Sequence, residues 1–140
     1  MKSISIIQPN ASLLAIGAIN QIRSPRYTAY RGPVAIYAAP IFPELDRMKL
    51  RNSPYRQSLL AHYPEDDLAI GLLPTGQIVG VGLLADCVED ESPFTLLSEP
   101  EYYVWKFENV RMLGEPIRCE CGRGLAELSE RIAARLEVFA

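Results

Sequence analysis

The stretch "QIVGVGLLADC", Gln77 to Cys87, constrains the architecture more than any other part of the chain. It reads as a long, mostly apolar strand in which Gly80 and Gly82, two apart, lie on the same face. A strand missing two successive side chains on one face bends sharply or admits another backbone closely. A bend is the expected outcome, and it points to a small curled sheet or barrel. The preceding "LPTGQ" reads as a turn, with Gly76 able to take a positive φ. Eleven prolines spread over 140 residues argue for many short elements and against a helical bundle.

Other segments agree. "SISII" (Ser3 to Ile7) alternates as a short strand should, and a helix opening at Pro9 or Asn10 carries Leu13, Leu14 and Ile16, with Gly17 placed to end it. "INQIR" and the more apolar "PVAIYAA" are further strands, the second buried on both faces or near a barrel centre. "FPELDRMKL" and "YRQSLLAHY" each suit a short helix. In "EYYVWKFENVRML", Tyr103, Trp105 and Phe107 share one strand face and Lys106 and Glu108 the other. "GLAELSERIAARLEVF" spaces Leu125, Leu128, Ile132, Leu136 and Phe139 as one amphipathic C-terminal helix. The fold class expected is α+β: a small mixed β-barrel with flanking helices, forming one domain over residues 1–140.

The net charge of −3 hides an asymmetry. Between Arg23 and Arg56 seven basic residues face two acidic ones, whereas from Gln57 onward fifteen acids face six bases. Folded onto one face, the basic segment would attract phosphate. Cys119 and Cys121 are too close in sequence for an easy disulfide, and with Cys87 they make an odd set, which suits reduced thiols in a cytoplasm. A C-x-C pair with the single, distant His62 is a poor match for structural zinc, so neither metal nor cofactor is expected. No apolar run approaches the ~18 residues of a membrane span, and "MKSISIIQPN" lacks the features of a signal peptide.

Catalytic patterns are sparse. His62 stands alone, Glu65-Asp66-Asp67 suits a solvated loop or a helix start, and "GRG" at Gly122 to Gly124 is too short for a phosphate loop. Arginine and aromatic residues remain. Arg26, Tyr27, Tyr30 and Arg31 offer phosphate contacts and stacking faces of the kind that grip single-stranded nucleic acid. Trp105 is either a stacking platform or a core residue, and Arg31 either pins a turn through carbonyls or points into a cleft.

The ordered segments "SIIQPNASLLAIG", "YRGPVAIYAA", "LPTGQIVGVGLLADC", "YYVWKFENVRMLGEPI" and "CGRGLAEL" resemble the ASCH domain family. The resemblance implies a PUA-like β-barrel with a cleft for RNA or a nucleoside-like ligand. It does not choose among RNA binding, hydrolysis of acylated nucleosides, RNA cleavage and transcriptional coactivation, the roles assigned in that family. The family commonly reads Gln-Pro-Trp where this chain has Gln8-Pro9-Asn10. Its catalytic lysine and the acidic residue or threonine three positions on correspond to Ile19 and Ile22, and its strand histidine to Tyr37. Isoleucine moves no proton, and tyrosine, with a pKa near ~10, is a poor base at neutral pH.

The expectation is therefore non-catalytic binding of single-stranded RNA or a nucleotide-like ligand, with Gln8, Asn10, Ser12, Arg23, Arg26, Arg31, Tyr37 and Trp105 as ligand-binding residues and no catalytic ones. One alternative is a hydrolase or ribonuclease rebuilt around Tyr37, Ser12 or Lys49. Another is a protein–protein adaptor in which Ile19 and Ile22 line an apolar contact patch.

Overall fold

The computed structural model describes residues 1–51, 56–69, 72–90 and 102–136, apart from the side chains of Lys49, Arg51 and Ala69. In chain order the elements are β1 (Lys2–Ile6), α1 (Asn10–Ala15), β2 (Gln21–Ser24), β3 (Gly32–Ala38), α2 (Glu44–Arg51), α3 (Arg56–Leu60), α4 (Glu65–Ala69), β4 (Gln77–Glu89), β5 (Tyr103–Arg118), β6 (Leu125–Glu127) and α5 (Glu130–Leu136). The strands form one mixed sheet in the order β2-β5-β4-β3-β1-β6, curled into a half-barrel. β1 and β3 run parallel, and the other pairs are antiparallel.

The glycine-bearing strand both bends and admits neighbours. The β4–β5 register shifts between Ile78 and Gly80 and again between Val81 and Leu83. A Cβ on Gly80 would lie 2.9 Å from the Arg111 carbonyl oxygen and 3.1 Å from Ala15 Cβ, so this glycine lets β5 and α1 close on the strand. A Cβ on Gly82 would lie 2.9 Å from Val110 Cγ2. Gly76 takes the positive φ (64°) expected of its turn, and Gly17 (79°) follows the end of α1.

Apolar side chains on the two sheet faces build separate cores. On one face Ile4, Ile6, Val34, Ile36, Val79, Trp105 and Phe107 pack against Ala11, Leu14 and Ala15 of α1. On the other, Ala35, Tyr37, Val81, Leu113 and Ile117 pack under Leu136 of α5. A third cluster joins Leu13 and Phe42 to Leu50, Leu59 and Leu68 of α2, α3 and α4.

The C-terminal helix is shorter than its apolar spacing predicts. Gly124 has φ +61°, and Leu125, Ala126 and Glu127 instead pair with Ile4, Ser3 and Lys2 on the open edge of β1. Those strand bonds outweigh local helical periodicity. α5 starts only after Ser129, whose carbonyl accepts from Ala133 N–H and whose Oγ accepts from Ile132 N–H. Phe139 lies outside the described residues. The Glu65-Asp66-Asp67 run occupies the first turn of α4. No helix among the described residues is long and apolar enough to cross a membrane.

Candidate nucleic-acid cleft at the open seam

Because β2 and β6 are the two ends of the strand order, the half-barrel leaves a gap between its lips. Two cavities lie along it. One, of about 280 Å³, has Ser24, Arg26, Tyr27, Thr28 and Trp105 on the β2 side and Arg123, Gly124 and Leu125 on the β6 side. The other, of about 400 Å³, is lined by Ser5, Ile6 and Ile7 around the end of β1, by Asn10 and Asp46, and by Ile22, Arg23, Ser24 and Pro25. Ser24 borders both, so the cavities follow one another along β2.

The first cavity is the more cationic. Arg26 and Arg123 reach it from opposite lips, both exposed, and neither forms an ion pair among the described residues. Trp105 Nε1–H donates to the Arg26 carbonyl at 2.8 Å, fixing that segment against the sheet. The indole is 4% exposed, so it is a core residue whose edge forms part of the cavity wall. Tyr27 is 57% exposed, and its ring leans on Tyr103 with centroids 5.5 Å apart. In the second cavity Arg23 is already engaged: its Nε lies 2.6 Å from Asp90 Oδ2, and its guanidinium sits 4.0 Å from the centroid of the Tyr102 ring.

Four of the expected ligand residues are held by the protein itself. Arg31 takes the turn-pinning role: its Nη1 donates to the carbonyls of Thr28 (2.9 Å) and Tyr30 (2.8 Å), with Nη2 3.5 Å from Asp86. Gln8 and Ser12 are fully buried. Gln8 Nε2 donates to Ser12 Oγ and to the Pro74 carbonyl, both at 2.8 Å, and Gln8 Oε1 accepts from Ser12 N–H at 3.0 Å. Ser12 Oγ also lies 3.2 Å from the Tyr63 hydroxyl, whose pKa burial raises. Tyr37 lies in the core beneath α5, donating to the Cys119 carbonyl at 3.0 Å, and burial leads the causes that raise its pKa.

The seam thus gathers Asn10, Arg23, Arg26 and Trp105, and adds Tyr27 and Arg123, which were not among the expected ligand-binding residues. Tyr27 was visible as a stacking face. Arg123 sits inside "GRG", a stretch too short to register as a motif, yet its flanking glycines place it at the start of a lip. His62 is exposed between α3 and α4 and lines neither cavity. No group of three or more metal-ligating side chains occurs among the described residues.

No family model matches the sequence, and no curated protein matches it significantly. Among solved structures the chain is similar to ASCH from Zymomonas mobilis, with a TM-score of 0.57 and 11% identity over 98% of this chain and 93% of that one. The fold is that of an ASCH domain. A tyrosine-to-phenylalanine mutant of the same Zymomonas mobilis protein superposes with a TM-score of 0.58 at 10% identity, covering 98% and 96% of the two chains. A serine-to-alanine mutant gives 0.55 at 11% identity, covering 99% and 94%. Within this ASCH fold, Ile22 pairs in register with Trp105 and lines the second cavity, while Ile19 packs partly buried against the core.

Proposed function

We propose that the protein is a non-catalytic module that binds single-stranded RNA, or a nucleotide-sized part of it, across the open seam. One observation carries this reading: Arg26 and Arg123, on opposite lips of one cavity, both lack a carboxylate partner among the described residues and flank the exposed Tyr27 ring. Sequence-tolerant binders of single strands combine cations that track the phosphates with aromatic faces that accept bases. Asn10 and Ser24 would add hydrogen bonds further along the groove. Asp46 on the second cavity opposes phosphate there, so the anionic backbone belongs at the Arg26–Arg123 end.

The test is fluorescence anisotropy with a labelled single-stranded RNA at low and moderate salt. Arg26→Ala and Arg123→Ala should each weaken binding and reduce the slope of log K against log salt by roughly 0.7, the value for one phosphate contact on a single strand. Arg131→Ala, exposed on α5 over the other sheet face, should change neither. Absence of binding at both salts, or unaltered binding in both seam variants, would overturn the reading. Mass spectrometry of the recovered RNA should show it intact, and cleavage products would refute the non-catalytic assignment.

A further inference from the structure

A separate cavity of about 370 Å³ opens on the sheet face that carries α5 and shares no lining residue with the two seam cavities. That volume suits a small organic molecule. Much of its wall is apolar, with Pro33, Val81, Leu83 and Leu136 among the described residues. Val81 and Leu136 belong to the core under α5, and Leu83 is exposed. The polar part of the wall comes from an irregularity in the β4–β5 ladder. Leu83 pairs with Glu108 and Val81 with Arg111, so Gly82 alone stands opposite Asn109 and Val110. This is a β-bulge, and its first residue, Asn109, has φ +51°. Glycine adopts that left-handed conformation at least cost, so the bend itself requires no side chain at position 109. Gly82 makes room for the extra residue, since a Cβ on it would lie 2.9 Å from Val110 Cγ2.

Asn109 and Arg111 both line the cavity and both are exposed, yet neither side chain forms a hydrogen bond or ion pair among the described residues. A guanidinium and a carboxamide thus present unused N–H donors to a largely apolar cavity, and no carboxylate among the described residues lines it. A guanidinium donates two parallel bonds to a planar carboxylate, and one such cation balances one negative charge. Phosphate monoesters carry about two charges at neutral pH and would remain half compensated here. We infer that this cavity binds a small monocarboxylate with an apolar body, its carboxylate on Arg111 and Asn109 and its hydrocarbon against Val81, Leu83 and Leu136.

The experiment titrates octanoate into the full chain, followed by amide chemical shifts and calorimetry. Octanol serves as the uncharged probe of equal length, and inorganic phosphate as the anion without a tail. The expected result is saturable shifts at residues 81–83 and 109–111, with octanoate bound more tightly than either comparison probe. Arg111→Gln should weaken octanoate about tenfold, the loss expected for a hydrogen bond to a charged group, and leave octanol unchanged. Asn109→Gly suits the same backbone and should weaken octanoate about fivefold. Arg118→Gln, at the end of β5 and off this cavity, should leave octanoate binding as it is. Circular dichroism confirms that each variant is folded. No shifts at those amides, equal affinity for octanol, phosphate bound as tightly as octanoate, or unaltered octanoate affinity in folded Arg111→Gln would each overturn the inference. So would a gain of octanoate affinity in Phe139→Ala, which would assign the cavity to the chain's own C-terminal segment.

Discussion

Replacing Gln8 by alanine separates a positioning role from a ligand contact. The wild-type side chain is fully enclosed and makes three hydrogen bonds, one of them to the Pro74 carbonyl ahead of β4. At about 1 kcal/mol net for each bond, the substitution costs about 3 kcal/mol before any void is counted. The Pro74 carbonyl loses this donor, and the removed methylene and amide volume leaves space that neighbours only partly fill, so about 4 kcal/mol is a fair upper figure. With unfolding entropy of about 2.1 cal/mol/K per residue over 140 residues, this lowers Tm by roughly 10–14 °C. Differential scanning calorimetry checks the fall. Gln8→Met keeps most of the volume without the bonds and should lose most of the same stability. At a temperature where Gln8→Ala remains folded, its affinity for RNA should stay within about threefold of wild type, less than one neutral hydrogen bond's worth. A fall in Tm under about 2 °C would refute the hydrogen-bond argument. A large loss of affinity in stable, folded Gln8→Ala would make Gln8 a ligand residue instead.

Three further outcomes follow from particular contacts. Gly80→Ala forces a Cβ to within 2.9 Å of the Arg111 carbonyl oxygen and should destabilise by about 1–3 kcal/mol in urea unfolding, whereas Gly114→Ala meets nothing within 4 Å and should change stability by less than about 0.5 kcal/mol. Trp105→Phe removes the hydrogen bond to the Arg26 carbonyl, costing about 1 kcal/mol and weakening RNA binding through a loosened Arg26 segment, as paired denaturation and anisotropy measurements would show. Tyr37 and Tyr63 have raised pKa values, so the folded state holds their protons more tightly than the unfolded chain does. That contribution to stability is complete below the ordinary tyrosine pKa of ~10 and is lost as pH rises through the folded values. Tyrosinate absorbance should therefore show both ionising above the ordinary tyrosine range and together with alkaline unfolding, and Tyr63→Phe should remove one such step.

The fold was legible where a signal was local and had one physical meaning. Gly80 and Gly82 announced a bent strand, and Tyr103, Trp105 and Phe107 marked a core face by simple alternation. Legibility failed where a partner distant in sequence decided the outcome. Leu125 has helical spacing to Leu128 and Ile132, yet the free edge of β1, over a hundred residues earlier, draws it into β6. The site divided along the same line. Arg23 and Arg26 were identifiable from charge and position, but nothing local shows that Asp90 takes the first and that the second has no ion pair among the described residues. Gln8 and Ser12 have the chemistry of ligand residues, and only the packing of α1 against Pro74 and Tyr63 turns that chemistry inward.

The placement of charge relative to the cleft also bears on what the seam can do. A group that transfers protons works best partly desolvated, beside the reacting atom, with a pKa brought near the working pH. Here the residue facing the second cavity from the middle of β2 is Ile22, and Ile19 is packed into the core, so the interior wall offers surface for contact and no titrating group at those positions. Arg26 and Arg123 are exposed on the lips, where each presents a planar guanidinium that matches phosphate geometry. Guanidinium groups set at the lips of a cleft can hold a phosphate, and the isoleucines of its wall offer contact surface to a base. Placing lysine at Ile22 would reverse that arrangement. Ile22→Lys should raise the affinity for anionic ligands, because it adds a cation at the cavity wall, without creating turnover, because Ile19, the position that the resemblance matches to the family's lysine, keeps an apolar side chain packed against the core. RNA cleavage by that single variant would refute the proposal that the seam binds without catalysing.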